Sequence, residues 1–223
     1  MKLLLVLAVL LAIVVSAPIP QRPDGYRYGQ APSQRLVRLD VFEDLLCSDC
    51  KAFNPSFKRF FETSEVNGVS VSDLIETVVH IFPLPYHHHA FFFAQLVPFV
   101  YDLNKNATQV FEFNDWVYSI QSDYLEGGVD KSENQIKQNI CSEASNALSF
   151  FDNQACLDEF STHGHDNDAR VSWKFAAYSG ITGTPAVLLN GVEVDAPMSV
   201  SEWEKLLTPY LKSASAIQNL MKA

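Results

Sequence analysis

The sequence predicts an α/β domain interrupted by an all-helical insertion. Three observations carry this. Two apolar, β-branched runs (residues 36–42 and 74–82) flank a Cys-x-x-Cys segment and a helical pattern. From Tyr86 to about Arg170 strand signals vanish and helical patterns follow one another. A short helix, a strand, an Asn-Gly turn, a second strand and a last helix then close the chain.

Composition bounds what such a domain can do. The chain has 223 residues, is 48% hydrophobic and holds 16 Phe, enough apolar mass for one packed core carrying an insertion. Its net charge of −10, without a basic run, argues against a nucleic-acid partner. Four cysteines are too few to build a disulfide scaffold, so each must have a more local job.

The elements follow in order. Met1-Lys2 precedes an apolar run from Leu3 to Val15, too short for a bilayer span of about 20 residues. With Ser16 and Ala17 behind it, residues 1–17 read as a secretory signal peptide, cleaved after Ser16 or Ala17. No other stretch reads as transmembrane, and the mature chain is expected in the endoplasmic reticulum lumen or secreted, where disulfides persist. Residues 18–34 are a Pro- and Gly-rich extended leader, and residues 35–85 hold the first α/β part. There Ser48 or Asp49 is expected to cap a helix carrying Phe53, Phe57, Phe60 and Phe61 on one face. Residues 86–170 form the helical insertion, with helices near 90–103, 114–125, 132–149 and 156–160 and a break at Gly127-Gly128. The Phe91-Phe92-Phe93 run, Trp116 and Tyr118 read as insertion core. Residues 171–213 complete the α/β unit: a helix from Val171 to Tyr178 with Gly180 as its left-handed C′ residue, then the hairpin at Asn190-Gly191. A final helix begins near Ser199–Ser201, with Ser201-x-x-Glu204 as a capping box. Residues 214–223 are a C-terminal tail.

The chemistry-bearing residues begin with Cys47-Ser48-Asp49-Cys50, where a strand meets a helix. Disulfide exchange needs a thiolate, and a helix N-terminus favours one. Cys47 sits there as the candidate attacking sulfur; Cys50, one turn on, is the candidate resolving thiol. An inert disulfide and a metal half-site are the other readings of the pair. Zinc needs about four ligands; Cys141 and Cys156 are not a second Cys-x-x-Cys, so no metal site is assigned. Asp49 places a negative charge beside Cys47, which should raise the thiol's pKa. His87 and His88 leave the second strand at the sheet edge that Cys47 leaves from the first, so they are candidate electrostatic tuners; a solvated histidine run is the alternative. Cys141 and Cys156 flank the Asp152-Asn153 break, where a helical hairpin would let them form a structural disulfide; two buried thiols are the alternative. Asn106-Ala107-Thr108 is a glycosylation sequon.

The Cys-x-x-Cys after a strand, with Gly180-Ile181-Thr182-Gly183-Thr184-Pro185-Ala186 and Asn190-Gly191 far downstream, resembles the DsbA family of thiol-disulfide oxidoreductases, a thioredoxin-like fold with a helical insertion. The resemblance spans roughly residues 34–212. Phe82-Pro83-Leu84-Pro85-Tyr86-His87-His88 and the leader Pro18–Gly25 look like a eukaryotic secreted branch. The resemblance implies that Thr184-Pro185 forms a cis-proline loop facing the cysteines, where the Thr184 backbone would dock a client chain. Strongly oxidising relatives carry Pro-His between the cysteines, so Ser48-Asp49 implies a milder oxidant. The family's buried acid, six positions before the first cysteine, is replaced by Val41; Glu43 and Asp44 are expected in the strand-end loop.

The reading is therefore a thiol-disulfide oxidoreductase of the secretory pathway acting through Cys47 and Cys50. It needs no cofactor beyond its dithiol. Its partners are client proteins with thiols or disulfides and an unidentified redox partner. The alternative is a redox-inactive thioredoxin-fold protein that binds a peptide or ligand and keeps Cys47–Cys50 as a structural disulfide. Glutathione transferases share the split architecture but usually lack a resolving cysteine, so Cys50 weighs against that class.

Overall fold

A computed structural model describes residues 22–32, 35–125 and 130–222, with side-chain surroundings to Lys212. The signal segment and the Gly127-Gly128 break lie outside these residues. Strand β1 (Tyr26–Arg27) is followed by β2 (Val37–Glu43) and helix α1 (Ser48–Thr63). A small hairpin, β3 (Glu65–Val66) and β4 (Val69–Ser70), precedes β5 (Ile75–Ile81). The insertion supplies α2 (Ala90–Asn104), α3 (Ala107–Leu125), α4 (Glu133–Ala147) and α5 (Asn153–Thr162). Then come α6 (Asp166–Tyr178), β6 (Ala186–Leu189), β7 (Val192–Val194) and α7 (Val200–Lys222). The main sheet has the order β1-β5-β2-β6-β7.

The central pair, β2 and β5, runs parallel from Val37↔Ile75 to Glu43↔Ile81. Strand side chains alternate between faces, and a central parallel strand must bury both. Leu39 and Val41 accordingly join the large core, whereas Phe42 joins a second cluster with Ala176 and Ile181. On the first face α1 packs Phe53, Phe57, Phe60 and Phe61 around Trp203 of α7, with Phe60 stacked on the indole at 5.7 Å. Burial of such side chains is worth roughly 1.5–3 kcal/mol each. The hairpin turn has Asn190 at φ 52° and Gly191 at φ 83°. Asn190 is docked on Arg38 of β2, donating its N–H to the Arg38 carbonyl (2.9 Å) and accepting the Arg38 N–H at Oδ1 (2.9 Å). Gly180, at φ 83°, follows α6 in the left-handed conformation, and the Ile181 N–H returns to the Ala176 carbonyl.

Several elements differ from their sequence expectation. The extended leader also contributes a strand, because Tyr26–Arg27 pairs antiparallel with β5. Helix α3 begins at Ala107, where Asn106 Oδ1 accepts the Thr108 N–H (2.9 Å); polar residues in its first turn hide this start from an apolar pattern. Helix α6 begins at Asp166, not Val171, with Asp166 and Asp168 in its first turn, where the dipole favours acids. The cap of α7 is Ser199 with Glu202, not Ser201 with Glu204: Glu202 Oε2 accepts the Ser199 N–H (3.1 Å) and Ser199 Oγ accepts the Glu202 N–H (3.3 Å). The same helix continues to Lys222, through the segment expected as a tail. Cys47 itself, without a side-chain cap bond, is the N-cap of α1, in place of Ser48 or Asp49. No helix among the described residues is long and apolar enough to cross a membrane.

The leader is held by a buried polar cluster. His80 of β5 is fully buried, with Nδ1 2.6 Å from Asp24 Oδ2 and Nε2 3.0 Å from Asp40 Oδ1. Phe42 and Phe175 stack on the imidazole at 4.7 and 4.9 Å. Ser172 of α6 donates to Asp24 (3.3 Å). Gly25, at φ 87°, has no room for a side chain: a Cβ there would lie 2.5 Å from Val78 and 2.7 Å from His80. Burial opposes the charged imidazole, but hydrogen bonds and charges from Asp24 and Asp40 outweigh it, so His80 titrates above its ordinary value. A histidine raised in this way contributes stability that is complete below its unfolded value of about 6.5 and is lost as pH rises through the folded value. The stability difference between wild type and His80→Gln in urea melts should therefore shrink as pH rises above about 6.5 and through the raised folded value. Asp24→Ala, which leaves a buried imidazole nitrogen unpaired, is expected to cost about 1–3 kcal/mol in the same melts.

Candidate active site at the strand-to-helix turn

Strand β2 ends at Glu43, and residues 44–47 turn the chain into α1. The Asp44 carbonyl accepts the Cys47 N–H (3.0 Å) and the Cys47 carbonyl accepts the first helical N–H, from Lys51 (3.1 Å). Gln121, reaching in from α3, donates to the carbonyls of Leu45 (3.1 Å) and Cys47 (2.8 Å). The turn is thereby clamped from the insertion side. It leaves Cys47 6% exposed and Cys50 fully buried, both as free thiols.

The two sulfurs have opposite environments. A hydrogen bond from Cys50 and, after the opposing effect of burial, the Thr184 side chain and the N–H groups of Cys50 and Asp49 bring Cys47 down to about 6. Burial, then the bond to Cys47 and the nearby Glu43 charge, push Cys50 well above the ordinary thiol value. The net shift at Cys47 is downward, and the Asp49 carboxylate is not among its main causes. Asp49 is exposed, so its carboxylate stays in water, while its backbone N–H faces the sulfur.

Thr184-Pro185 is a cis peptide bond, and Cys47 Sγ lies 3.3 Å from the Thr184 carbonyl oxygen. Thr184 Oγ1 is buried and has no partner apart from the cysteine sulfurs it acts on. Beside this loop a groove opens between Pro185-Ala186 and residues 193–196.

Other residues are placed less simply. His87 Nδ1 contacts Asp44 Oδ2 at 2.5 Å, and His88 is exposed and packs edge-on to His89. Neither is among the main influences on Cys47. Cys141 of α4 and Cys156 of α5 form a disulfide within the insertion, away from Cys47 and Cys50 in sequence and element. Asn106 is exposed at the α2–α3 junction. His165 pairs with Glu159 (2.8 Å), tying the α5–α6 loop down. No cluster of three or more His, Cys, Asp or Glu among the described residues could hold a metal.

The sequence reading missed two acids. Glu43 is not in a loop: it is the last residue of β2, 3% exposed, and burial pushes it up to about 7. Tyr118 and the Lys58–Asp115 pair stand near it. Glu43 lies four positions before Cys47, so a search at six positions finds Val41 instead. No single signal marks it, because β2 also carries Arg38 and Asp40, so an acid in this strand is not by itself distinctive. Asp44, fully buried, is the second.

The sequence profile of the thioredoxin family matches residues 24–208. No curated protein matches the chain by sequence. Among solved structures, the fold is similar to a putative protein-disulfide isomerase from Pseudomonas syringae (TM-score 0.63, 17% identity, 82% of this chain and 97% of that one). It is also similar to alpha-DsbA1 from Wolbachia pipientis (TM-score 0.60, 17% identity, 92% and 98%) and to oxidised BdbD from Bacillus subtilis (TM-score 0.64, 12% identity, 84% and 93%). The shared architecture is a thioredoxin-like fold with a helical insertion.

The site makes one direct prediction. Alkylation of Cys47 should have a pH midpoint of about 6. Cys50→Ala, which removes the leading hydrogen bond to the thiolate, should raise that midpoint, as read by the pH dependence of iodoacetamide modification.

Proposed function

The chain belongs to the thioredoxin family, and from that premise we propose that it is a DsbA-like thiol-disulfide oxidoreductase acting through Cys47 and Cys50. The observation that carries this reading is the asymmetry of the two free thiols. One, at a helix N-terminus beside the cis-proline loop, is shifted toward thiolate; the other is buried and held protonated.

The chemistry follows from that asymmetry. In the reductive direction the Cys47 thiolate attacks one sulfur of a client disulfide. A mixed disulfide forms and the other client sulfur leaves as a thiolate. Cys50 must then lose its proton before it can attack Cys47 Sγ. Glu43 is the group suited to accept it, because it is buried, acts on Cys50 through its charge and has a value of about 7. Attack by Cys50 releases the second client thiol and leaves Cys47–Cys50 oxidised; two electrons pass to the client. Client oxidation is the same sequence reversed. The Thr184 carbonyl, now 3.3 Å from Cys47 Sγ, marks where a client backbone would approach.

The sequence supports placing this activity in the secretory pathway, in a eukaryotic secreted branch of the family, through its signal-like first 17 residues and its leader. The disulfide Cys141–Cys156 fits an oxidising compartment. A Cys47 value of about 6 lies between thioredoxin near 7 and DsbA near 3.5, so the potential should fall between about −270 and about −120 mV.

Insulin reduction and reduced-client oxidation test the proposal. Wild type should catalyse at least one, and Cys47→Ser should abolish it. Equal behaviour of the two proteins in both assays would sink the enzymatic reading and favour a binding protein. Glu43→Gln should slow resolution of the mixed disulfide by about a hundredfold near neutral pH, a typical general-base contribution. The wild-type resolution rate should climb with pH through about 7, as Glu43 ionises, and the variant should lose that climb.

A further inference from the structure

Asp44 touches both redox cysteines through its backbone and a histidine through its side chain. Its carbonyl accepts the Cys47 N–H (3.0 Å), and its own N–H points at Cys50 Sγ (3.5 Å). Its carboxylate is fully buried and held from two loops. Oδ1 accepts the Leu46 N–H (2.9 Å), while Oδ2 accepts the Leu84 N–H (2.9 Å) and meets His87 Nδ1 (2.5 Å). His87 is the one basic side chain that pairs with Asp44 among the described residues, and its side chain keeps 17% exposure. Its ring lies edge-on to Tyr86 at 4.9 Å, and its N–H returns to the Leu84 carbonyl (3.1 Å). The neighbouring ionisable groups, Glu43 and Tyr118, carry no positive charge to share.

A buried carboxylate beside a forming thiolate opposes it, because like charges disfavour each other's ionisation. A carboxylate paired with a histidine ring has its charge offset at the shared oxygen instead. We propose that His87 is a positioning residue for disulfide exchange: paired with Asp44, it braces the turn carrying Cys47 and Cys50 against the Leu84–His87 loop and offsets the carboxylate charge buried in that turn. This rests on reading Cys47–Cys50 as the redox pair. It also gives His87 a role through Asp44 and not by contact with Cys47.

The test uses the full chain with two readouts, the pH midpoint of Cys47 alkylation and the equilibrium constant with glutathione. His87→Gln keeps a hydrogen-bond donor but removes the ring that can carry a compensating positive charge. It should raise the midpoint by about half a unit and shift the glutathione equilibrium about threefold toward the enzyme disulfide. Asp44→Asn removes the carboxylate charge and should leave the midpoint at or below wild type. The double variant should return to within error of wild type, and His87→Lys should restore the midpoint. A purely structural role would move both single variants in the same direction. That result, or no shift in His87→Gln, overturns the proposal. Should Asp44→Asn fail to fold, the His87→Gln and His87→Lys pair, made at a partly exposed residue, decides alone. Failure of wild type to exchange with glutathione would instead sink the redox reading, while the alkylation arm still reports on His87.

Discussion

The parallel pairing of β2 with β5 is the constraint on which the rest of this structure depends. Because the two strands run the same way, both end at one edge of the sheet, with Glu43 opposite Ile81. The turn that delivers Cys47 and the loop that delivers His87 therefore emerge side by side. Backbone and side-chain bonds through Asp44 lock them together. The antiparallel addition of β6, in register from Leu39↔Leu189 to Phe42↔Ala186, brings the cis-proline loop to the same edge.

That edge concentrates ionisable groups which a core would ordinarily exclude. Glu43, Asp44 and Cys50 are all nearly or fully buried within a few residues of one another. Each is costly to ionise there, so small changes in neighbours decide which one holds a proton. This is the physical basis for two neighbouring sulfurs shifted in opposite directions, one toward thiolate and the next toward thiol. The same sheet solves a different problem with His80, which is compensated on both nitrogens by Asp24 and Asp40 and packed against the rings of Phe42 and Phe175. There the paired charges serve attachment of the leader, at the other side of β5 from α1.

The insertion is part of the site and not only an addition to the scaffold. Gln121 of α3 supplies the amide that satisfies two turn carbonyls, and Tyr118 covers Glu43 from the same helix. Asp115, one turn earlier, pairs with Lys58 of α1 and so ties the insertion to the helix that carries the cysteines. The Cys141–Cys156 disulfide closes α4 on α5, within the insertion; its restriction of the unfolded chain is worth roughly 3 kcal/mol on the chain-entropy account.

Local motifs were legible from the sequence because their causes are local. Period and turn chemistry marked the strands, the Phe-bearing face of α1, the left-handed Gly180 and the Asn190-Gly191 hairpin. They also marked Cys47 at a helix start and Thr184-Pro185 as a loop, and their order indicated a thioredoxin-like fold with a helical insertion. Pattern could not assign Glu43 and Asp44, because an acid at a strand end looks the same whether water or protein covers it. Nor could it pair His87 with Asp44, 43 positions apart. The alternating side chains and turn residues determined by themselves which elements form. Only the tertiary structure decided which charges lie out of water next to the cysteines, since burial and proximity are properties of the packed sheet edge and not of any one segment.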